Sequence, residues 1–283
     1  MSLIVKHPGL FSTIQDQGRS EGMPQGIPVS GAMDLNLYRY ANQVLNNTED
    51  CACIEFYQQG LKLEFEAPTF ICVAALHAKI TLNGDQADVN SVLQVNSGDV
   101  LTIKELTKGS WGYVAVKEGF LSQSLLGSRS FFKALTRHQI QKNDRIDFSV
   151  FEGTAGGDDL AFDTDYYAKT ILVVYKGPEF YKLSETLQYQ LKTAKFSLST
   201  SQNRMAYQLQ ERLENELDEI VTGPVLPGTI QYTPGGKMIV LMRDAQVTGG
   251  YPRILQLSER GINLLSQMRT KTKFTFRLTE IGS

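Results

Sequence analysis

Histidine, cysteine and long apolar runs are all scarce in this chain of 283 residues, and each scarcity removes a class of function. Its histidines are His7, His77 and His138, none at metal-ligand spacing or beside a nucleophile elbow. An isolated histidine at a turn is ordinarily a turn residue. Three cysteines, Cys51, Cys53 and Cys72, cannot all pair and show no zinc spacing. Cys51-Ala52-Cys53 would point both thiols one way in an extended chain, but no second ligand pair accompanies it, so packing is expected there and no metal site anywhere. No apolar stretch approaches the ~20 residues of a membrane span. The first eight residues lack a signal-peptide core, so a cytoplasmic location without membrane contact is expected. A net charge of −2 offers no basic face for nucleic acid. Gly127-Ser128-Arg129-Ser130 is not a G-x-S-x-G elbow, and Gly235-Gly236-Lys237 lacks phosphate-loop spacing and reads as a hairpin turn. A self-sufficient hydrolase or a metal enzyme is not visible.

What is abundant is glycine set among proline and hydroxyl residues in two blocks. The first reads Gly26-Ile27-Pro28-Val29-Ser30-Gly31-Ala32-Met33-Asp34. The second joins Pro227-Gly228-Thr229-Ile230-Gln231 to Asp244-Ala245-Gln246-Val247-Thr248-Gly249-Gly250-Tyr251-Pro252. Such segments let a backbone approach a ligand closely, because glycine tolerates positive φ and proline sets the entry angle.

The rest reads mainly as short strands. Ile80-Thr81-Leu82 meets Asn83-Gly84, the preferred two-residue hairpin turn, and Asn96-Ser97-Gly98-Asp99 is a second turn signal. Residues 145–150 alternate polar and apolar. Helices are expected after Asp34 as N-cap, after Ser258, and over residues 184–191. A polar, acidic, glycine-rich stretch at residues 152–159 reads as a linker, dividing the chain into domains 1–155 and 156–283. Arg145-Ile146-Asp147-Phe148 and Lys273-Phe274-Thr275-Phe276 end the two halves alike, a hint of related β domains. Many short strands with turn signals favour barrels or sandwiches over a parallel sheet.

The blocks supply the candidate site. Asp16 and Arg19 are placed to pair across a turn, while Ser30, Gly31 and Asp34 offer a hydroxyl, backbone N–H groups and a carboxylate to a small polar ligand. The plainer reading of Asp34 is a helix cap. An apolar strand, Ile239-Val240-Leu241-Met242, delivers Arg243 and Asp244 to its end. Thr248-Gly249-Gly250-Tyr251 is expected to make a tight turn with a phenol at its tip, with Gln231 on the neighbouring strand. A strand-end carboxylate suits an amide or ureido N–H, and turn N–H groups suit an oxyanion. Arg204 and Arg129 are each expected either to fork onto a carboxylate, of a substrate or of the protein, or to make a surface ion pair.

Taken in order, Gln15-Asp16-Gln17-Gly18-Arg19, residues 26–34, Glu55, residues 127–130, Asn203-Arg204-Met205, residues 227–231 and residues 244–252 resemble one family over nearly the whole chain. It is that of the C subunit of bacterial ATP-dependent 5-oxoprolinase, also called allophanate hydrolase subunit 2 or the biotin-dependent carboxyltransferase family. The resemblance implies a mainly β chain of two cyclophilin-like β-barrel domains in tandem with a few short helices. It implies a non-autonomous component that works with the B-type and A-type 5-oxoprolinase proteins on an amide or ureido substrate, opening 5-oxoproline to glutamate. It also implies ATP used by the complex, although no nucleotide loop is visible in this chain, and carboxylated biotin from a partner as a candidate co-substrate. Asp34, Asp244 and Arg204 become the candidate catalytic residues. Ser30, Gly31, Gln231, Thr248, Gly249, Gly250, Tyr251 and Arg129 become the candidate substrate-binding residues.

This chain departs from the family pattern at Ala206, where glycine is usual, at Val247, where a threonine is usual, and at Thr222-Gly223-Pro224, where a Ser-Glu-Gly-like sequence is common. It is also somewhat short, as if trimmed around residues 137–165. The alternative function implied by relatives is a regulatory binding protein that antagonises an inhibitor of a kinase. A stand-alone cyclophilin-like isomerase is disfavoured, because fold likeness does not carry function.

Overall fold

A computed structural model describes residues 1–133, 135–136, 139–153, 160–214 and 217–280. The chain divides into two compact units, one of residues 1–19 and 30–164, the other of residues 20–29 and 165–283. The linker expected at 152–159 lies largely outside the described residues, as does His138.

The first unit is built from eleven strands: β1 (Ser2–Pro8), β2 (Ser12–Gln15), β3 (Cys53–Tyr57), β4 (Leu61–Phe65), β5 (Thr69–Ala74), β6 (His77–Leu82), β7 (Asp85–Ala87), β8 (Val92–Val95), β9 (Val100–Lys108), β10 (Trp111–Val116) and β11 (Arg145–Asp147). They form two antiparallel sheets, in the orders β11-β1-β4-β9-β6-β7 and β2-β3-β10-β5-β8. Period-two patterning explains the layering. Leu61, Leu63 and Phe65 of β4 are buried while Lys62 and Glu64 face outward. They join Ile54, Ile71, Val73, Val114 and Val116 of the other sheet in one core. Asn83 and Gly84 take φ of 55° and 96°, the left-handed pair that the β6–β7 hairpin needs. The turn at residues 96–99 joins two different sheets, since β8 pairs with β5 and β9 with β4 and β6.

Strand β10 is buried along its whole length because it is covered twice. Val114 and Val116 face the core, and the other face lies under helix α1 (Leu35–Val44). The Asp34 side chain caps that helix by accepting from Asn36 N and Leu37 N, as the sequence predicts. Tyr38 of α1 meets Tyr113 of β10 edge to face, with ring centroids 6.1 Å apart. Burial at these positions also raises the pKa of the Cys72 thiol to about 12 and holds that of Cys53 well above its usual range. Both are therefore protonated packing residues, as the sequence leads one to expect for Cys53.

A single helical turn, α2 (Thr164–Tyr167), precedes the second unit. This unit holds β12 (Ile171–Lys176), α3 (Glu185–Thr193), β13 (Leu198–Gln202), β14 (Ala206–Arg212), β15 (Gly223–Pro224), β16 (Thr229–Tyr232), β17 (Lys237–Leu241), β18 (Thr248–Gly249), β19 (Arg253–Leu257), α4 (Glu259–Gln267) and β20 (Thr275–Leu278). Seven strands make one sheet in the order β13-β14-β17-β16-β19-β12-β20, and β15 and β18 pair by themselves. Ser184 and Ser258 cap α3 and α4 through their hydroxyls. The mainly β class with few helices is thus the one observed.

The similarity of the two closing strands does not extend to their pairing. Strand β11 runs antiparallel to β1, whereas β20 runs parallel to β12. The difference comes from α4, which lets the chain reverse after β19 and return beside β12 in the direction of β12.

An ion pair joins β19 to the segment after β12. Arg253 on β19 grips Glu179 through Nε (3.0 Å) and Nη2 (2.9 Å). That hydrogen bonding holds the Glu179 carboxyl below its usual range, against the opposing effect of burial. A depressed folded-state pKa contributes stability that is complete above the unfolded value of about 4.3 and is lost as pH falls through the folded value. Glu179→Gln is therefore expected to flatten the loss of stability between about pH 5 and pH 3 in denaturant titrations. An unchanged slope in that window would show that the pair adds nothing to acid stability.

Candidate functional site

In the first unit the segment from Ser30 to Asp34 is shaped by its backbone and braced from beneath. Ser30 adopts φ 55° and Gly31 φ 86°. A Cβ on Gly31 would lie 2.9 Å from backbone atoms of Gln17 and Gly18, so only glycine lets the two segments touch. Ala32 N donates to Asp16 O (2.9 Å). Glu55 and Tyr113 are directly opposite on β3 and β10, and both are fully buried. Glu55 Oε2 accepts from Met33 N (2.7 Å) and from the Tyr113 hydroxyl (2.8 Å). That hydroxyl in turn accepts from Asp34 N (2.9 Å). Burial, followed by the neighbouring carboxylates of Glu55 and Asp34, pushes the Tyr113 phenol well above its usual pKa, so it stays a donor.

Asp34 itself is 0% exposed, and its carboxylate is engaged in capping α1. Ser30 is also buried, and its hydroxyl has no partner among the described residues. Replacing Tyr113 by phenylalanine would take a donor from Glu55 and an acceptor from Asp34 N. A loss of about 2 kcal/mol in denaturant unfolding is expected, since each buried group left unpaired carries its desolvation cost. Tyr113 is the functional support that sequence patterning misses, and its one signal is a hydroxyl inside an otherwise apolar strand.

Asp16 is the anchor of the neighbouring turn. Its carboxylate accepts from Ser128 Oγ (2.6 Å), Ser130 Oγ (2.5 Å), Gly18 N (2.8 Å) and Arg129 N (2.5 Å). This explains why the stretch from Gly127 to Ser130 alternates serine around an arginine. Arg19 donates to the carbonyl oxygens of Ser130 and Leu125, and the Arg129 guanidinium donates to the carbonyl of Ser122.

In the second unit, Arg204 and Asp244 are brought together. Asn203 Oδ1 accepts from Met205 N and Ala206 N, tightening the β13–β14 turn. That turn lies on the segment after β17, through Met242 N to Met205 O (2.9 Å) and Asp244 N to Arg204 O (2.9 Å). The Arg204 guanidinium then forks onto the Asp244 carboxylate at 2.8 and 2.9 Å. The carboxylate that Arg204 holds is thus that of Asp244. The side chain of Arg204 is 4% exposed and that of Asp244 14%, so the carboxylate is the solvent-facing half of the pair. Ala206, at a position where the family has glycine, packs its methyl against Val225, Leu241 and Ala245.

Within the tight turn expected at residues 248–252, Thr248 and Gly249 form a two-residue strand and the chain bends at Gly250 and Tyr251. β18 pairs antiparallel with β15, Gly223 opposite Gly249 and Pro224 opposite Thr248. Its partner lies some twenty-five residues upstream, beyond the reach of turn rules. Neither Gly249 nor Gly250 needs positive φ. Gly249 is required for another reason, because a Cβ there would collide with the Gln231 amide nitrogen. Gln231 sits on β16 beside β17, as expected from the sequence, and is 2% exposed. Its Nε2 is buried without a partner among the described residues. Thr248 is exposed at the end of the strand, and Gly250 and Tyr251 are half-buried. Gly223 fits for a similar reason, because Arg253 Nη1 lies 3.0 Å from where its Cβ would be.

Each unit thus carries one glycine-rich segment with an unsatisfied buried polar atom, Ser30 Oγ in the first and Gln231 Nε2 in the second. Buried polar groups are nearly always paired in folded proteins, which singles these two out within the glycine-rich segments. Among the described residues no cluster of His, Cys, Asp and Glu could hold a metal ion, and no helix is long and apolar enough to cross a membrane.

Both units are β-rich and set a buried polar side chain in or beneath a glycine-rich segment. The model of the carboxyltransferase domain, subdomain A and B, matches residues 25–278, and the chain belongs to that family. It is 28% identical over 271 residues to the 5-oxoprolinase C subunit of Escherichia coli (strain K12), covering 92% of this chain and 86% of the relative. Its counterpart in Haemophilus influenzae is 27% identical over 286 residues, covering 95% and 89%. The urea amidolyase of Lachancea kluyveri is 36% identical over 129 residues, which are 45% of this chain and 7% of that protein. The crystal structure of TTHA0988 superposes with a TM-score of 0.87 at 24% identity, over 98% of this chain and 55% of that one, so this chain spans about half its length. That of the K. lactis urea amidolyase gives 0.85 at 23%, over 97% of this chain and 18% of that one. These two likenesses speak for the fold.

Proposed function

We propose that this chain is a non-autonomous component of an ATP-dependent 5-oxoprolinase, or of a closely related amidolyase, acting with B-type and A-type 5-oxoprolinase partners on a cyclic amide or ureido substrate. The observation that carries the reading is the end-to-end likeness to two 5-oxoprolinase C subunits, which covers 86% and 89% of those relatives.

Opening a cyclic amide develops negative charge on the carbonyl oxygen, and buried donors aimed at that oxygen stabilise it. The unsatisfied Gln231 amide beneath Gly249 supports such a role, and the Ser30 hydroxyl supports a second polar contact in its own unit. Asp244, held by Arg204, orients a substrate N–H, with Thr248, Gly250 and Tyr251 as the adjoining surface. Asp34 and Gly31 act as positioning residues, one by capping α1 and the other by letting the backbone pack.

ATP has no phosphate loop to occupy among the described residues. Gly235-Gly236 merely turns the β16–β17 hairpin, with Gly236 N donating to Thr233 O at 2.9 Å. No step is assigned to the nucleotide. Carboxylated biotin from a partner fits better, since its ureido oxygen is an acceptor of the kind Gln231 lacks. It would supply a carboxyl group for transfer.

The direct test is glutamate release from 5-oxoproline by the complex reconstituted from its genomic partners. Activity with ATP that vanishes when this chain is left out is expected. An assembled complex that releases no glutamate overturns the oxoprolinase reading. Gln231→Leu sharpens the test, because it removes an unsatisfied buried donor at similar volume. Stability is expected to stay level or rise, while activity falls by about tenfold or more. Full activity in that variant would remove Gln231 from the site.

A further inference from the structure

The first unit contains a cavity of 540 Å³ that the proposed amide chemistry does not use. Its volume falls within the ~300–1,000 Å³ usual for small-molecule sites. Its lining carries charges of both signs, and two of them keep hydrogen-bonding capacity that no described residue takes up. Arg129 lines the cavity from a backbone fixed by Asp16, and its Nη1 is engaged by the Ser122 carbonyl. No described residue accepts from its Nε or Nη2. Asp147, on β11, lines the same cavity. Its backbone is held by Ser2 and by Leu121 N (2.7 Å), while its carboxylate meets no described donor.

Among the described residues, the other two charged residues of the lining already have partners. Arg145 donates to Glu66 (2.8 Å), and Asp144 accepts from Gln141 N (2.8 Å). Apolar surface from Ile14, Phe131 and Ile140 completes the cavity.

We propose that this cavity binds a free α-amino acid with an apolar side chain, its carboxylate on Arg129 and its ammonium group on Asp147. A simple anion would gain nothing from the exposed Asp147 carboxylate, and a simple cation nothing from the arginine fork. A zwitterion meets both at once, and the apolar wall takes its side chain. Planar, bidentate recognition of a carboxylate is the chemistry for which a guanidinium is suited.

The site lies wholly within the first unit and does not rest on the amide reading. Its test uses this chain alone, so the two can fail separately. Titration calorimetry of the full chain with L-leucine, N-acetyl-L-leucine and L-leucinamide separates the two charge contacts. L-leucine is expected to bind, and each blocked analogue to bind at least about tenfold more weakly. Asp147→Asn should erase the penalty for blocking the amine and leave the other. Arg129→Gln should erase the penalty for blocking the carboxylate. Melting curves of both variants control for folding, and the analogue series on the unmodified chain stands without them. No binding of L-leucine at millimolar concentration, equal binding of all three ligands, or variants with the unmodified pattern would overturn the proposal.

Discussion

Asp244→Ala is expected to lower stability by about 3–5 kcal/mol and to abolish activity of the assembled complex. The first effect follows from burial. Removing the carboxylate leaves the Arg204 guanidinium, 4% exposed, without the bidentate partner that compensates its charge. The second follows from the proposed role of Asp244 in orienting a substrate N–H, where misplacement alone costs about a hundredfold. Because the two effects arrive together, the single variant cannot assign a cause. Replacing both partners by apolar residues, Arg204→Met with Asp244→Leu, is expected to recover most of the stability, since a buried ion pair exchanged for packed hydrophobic groups is commonly neutral. Activity should stay absent. A well-folded double variant with normal glutamate release would make the pair purely structural.

Gly31→Ala is expected to cost about 2–5 kcal/mol in denaturant unfolding, the sum of two separate penalties. One is conformational, because alanine at φ 86° occupies the left-handed region at about 1–2 kcal/mol. The other is steric, because the new methyl would sit 2.9 Å from the backbone of Gln17 and Gly18, an overpacking worth about 1–3 kcal/mol. Gly84→Ala separates them. Gly84 has φ 96° and open space around its missing Cβ, so only the conformational part applies. Equal losses in the two variants would show that the approach of Gln17 is not what demands glycine at 31. The Gly31 variant should also lose activity, by displacing the Ser30 hydroxyl that no described residue satisfies.

Much of the fold was legible because its signals are local. The Asn83-Gly84 hairpin, the caps at Asp34, Ser184 and Ser258, and the alternation in β4 each depend on residues a few positions apart. The candidate site was legible in part. Gln231 on its strand and the β16–β17 hairpin follow from pattern, whereas the turn expected over Thr248 to Pro252 is confined to the bend at Gly250 and Tyr251, because β15 supplies Thr248 and Gly249 with a strand partner. The plainer reading of Asp34, a helix cap, is what its buried carboxylate shows.

What the sequence determined by itself is therefore the mainly β class, the helix starts and the order of glycine-rich blocks that marks the carboxyltransferase family. Tertiary structure alone decided that Arg204 spends its fork on Asp244, forty residues away, and that Glu55 and Tyr113 stand opposite one another beneath the Met33 and Asp34 N–H groups. It also decided that β20 lies parallel to β12 and that the Gln231 amide is buried with no acceptor among the described residues. The physical reason is common to all four. Capping, turn geometry and period-two burial are settled within a few residues, but the partner of a buried charge or amide depends on which strands become neighbours, and that choice is made by the whole sheet.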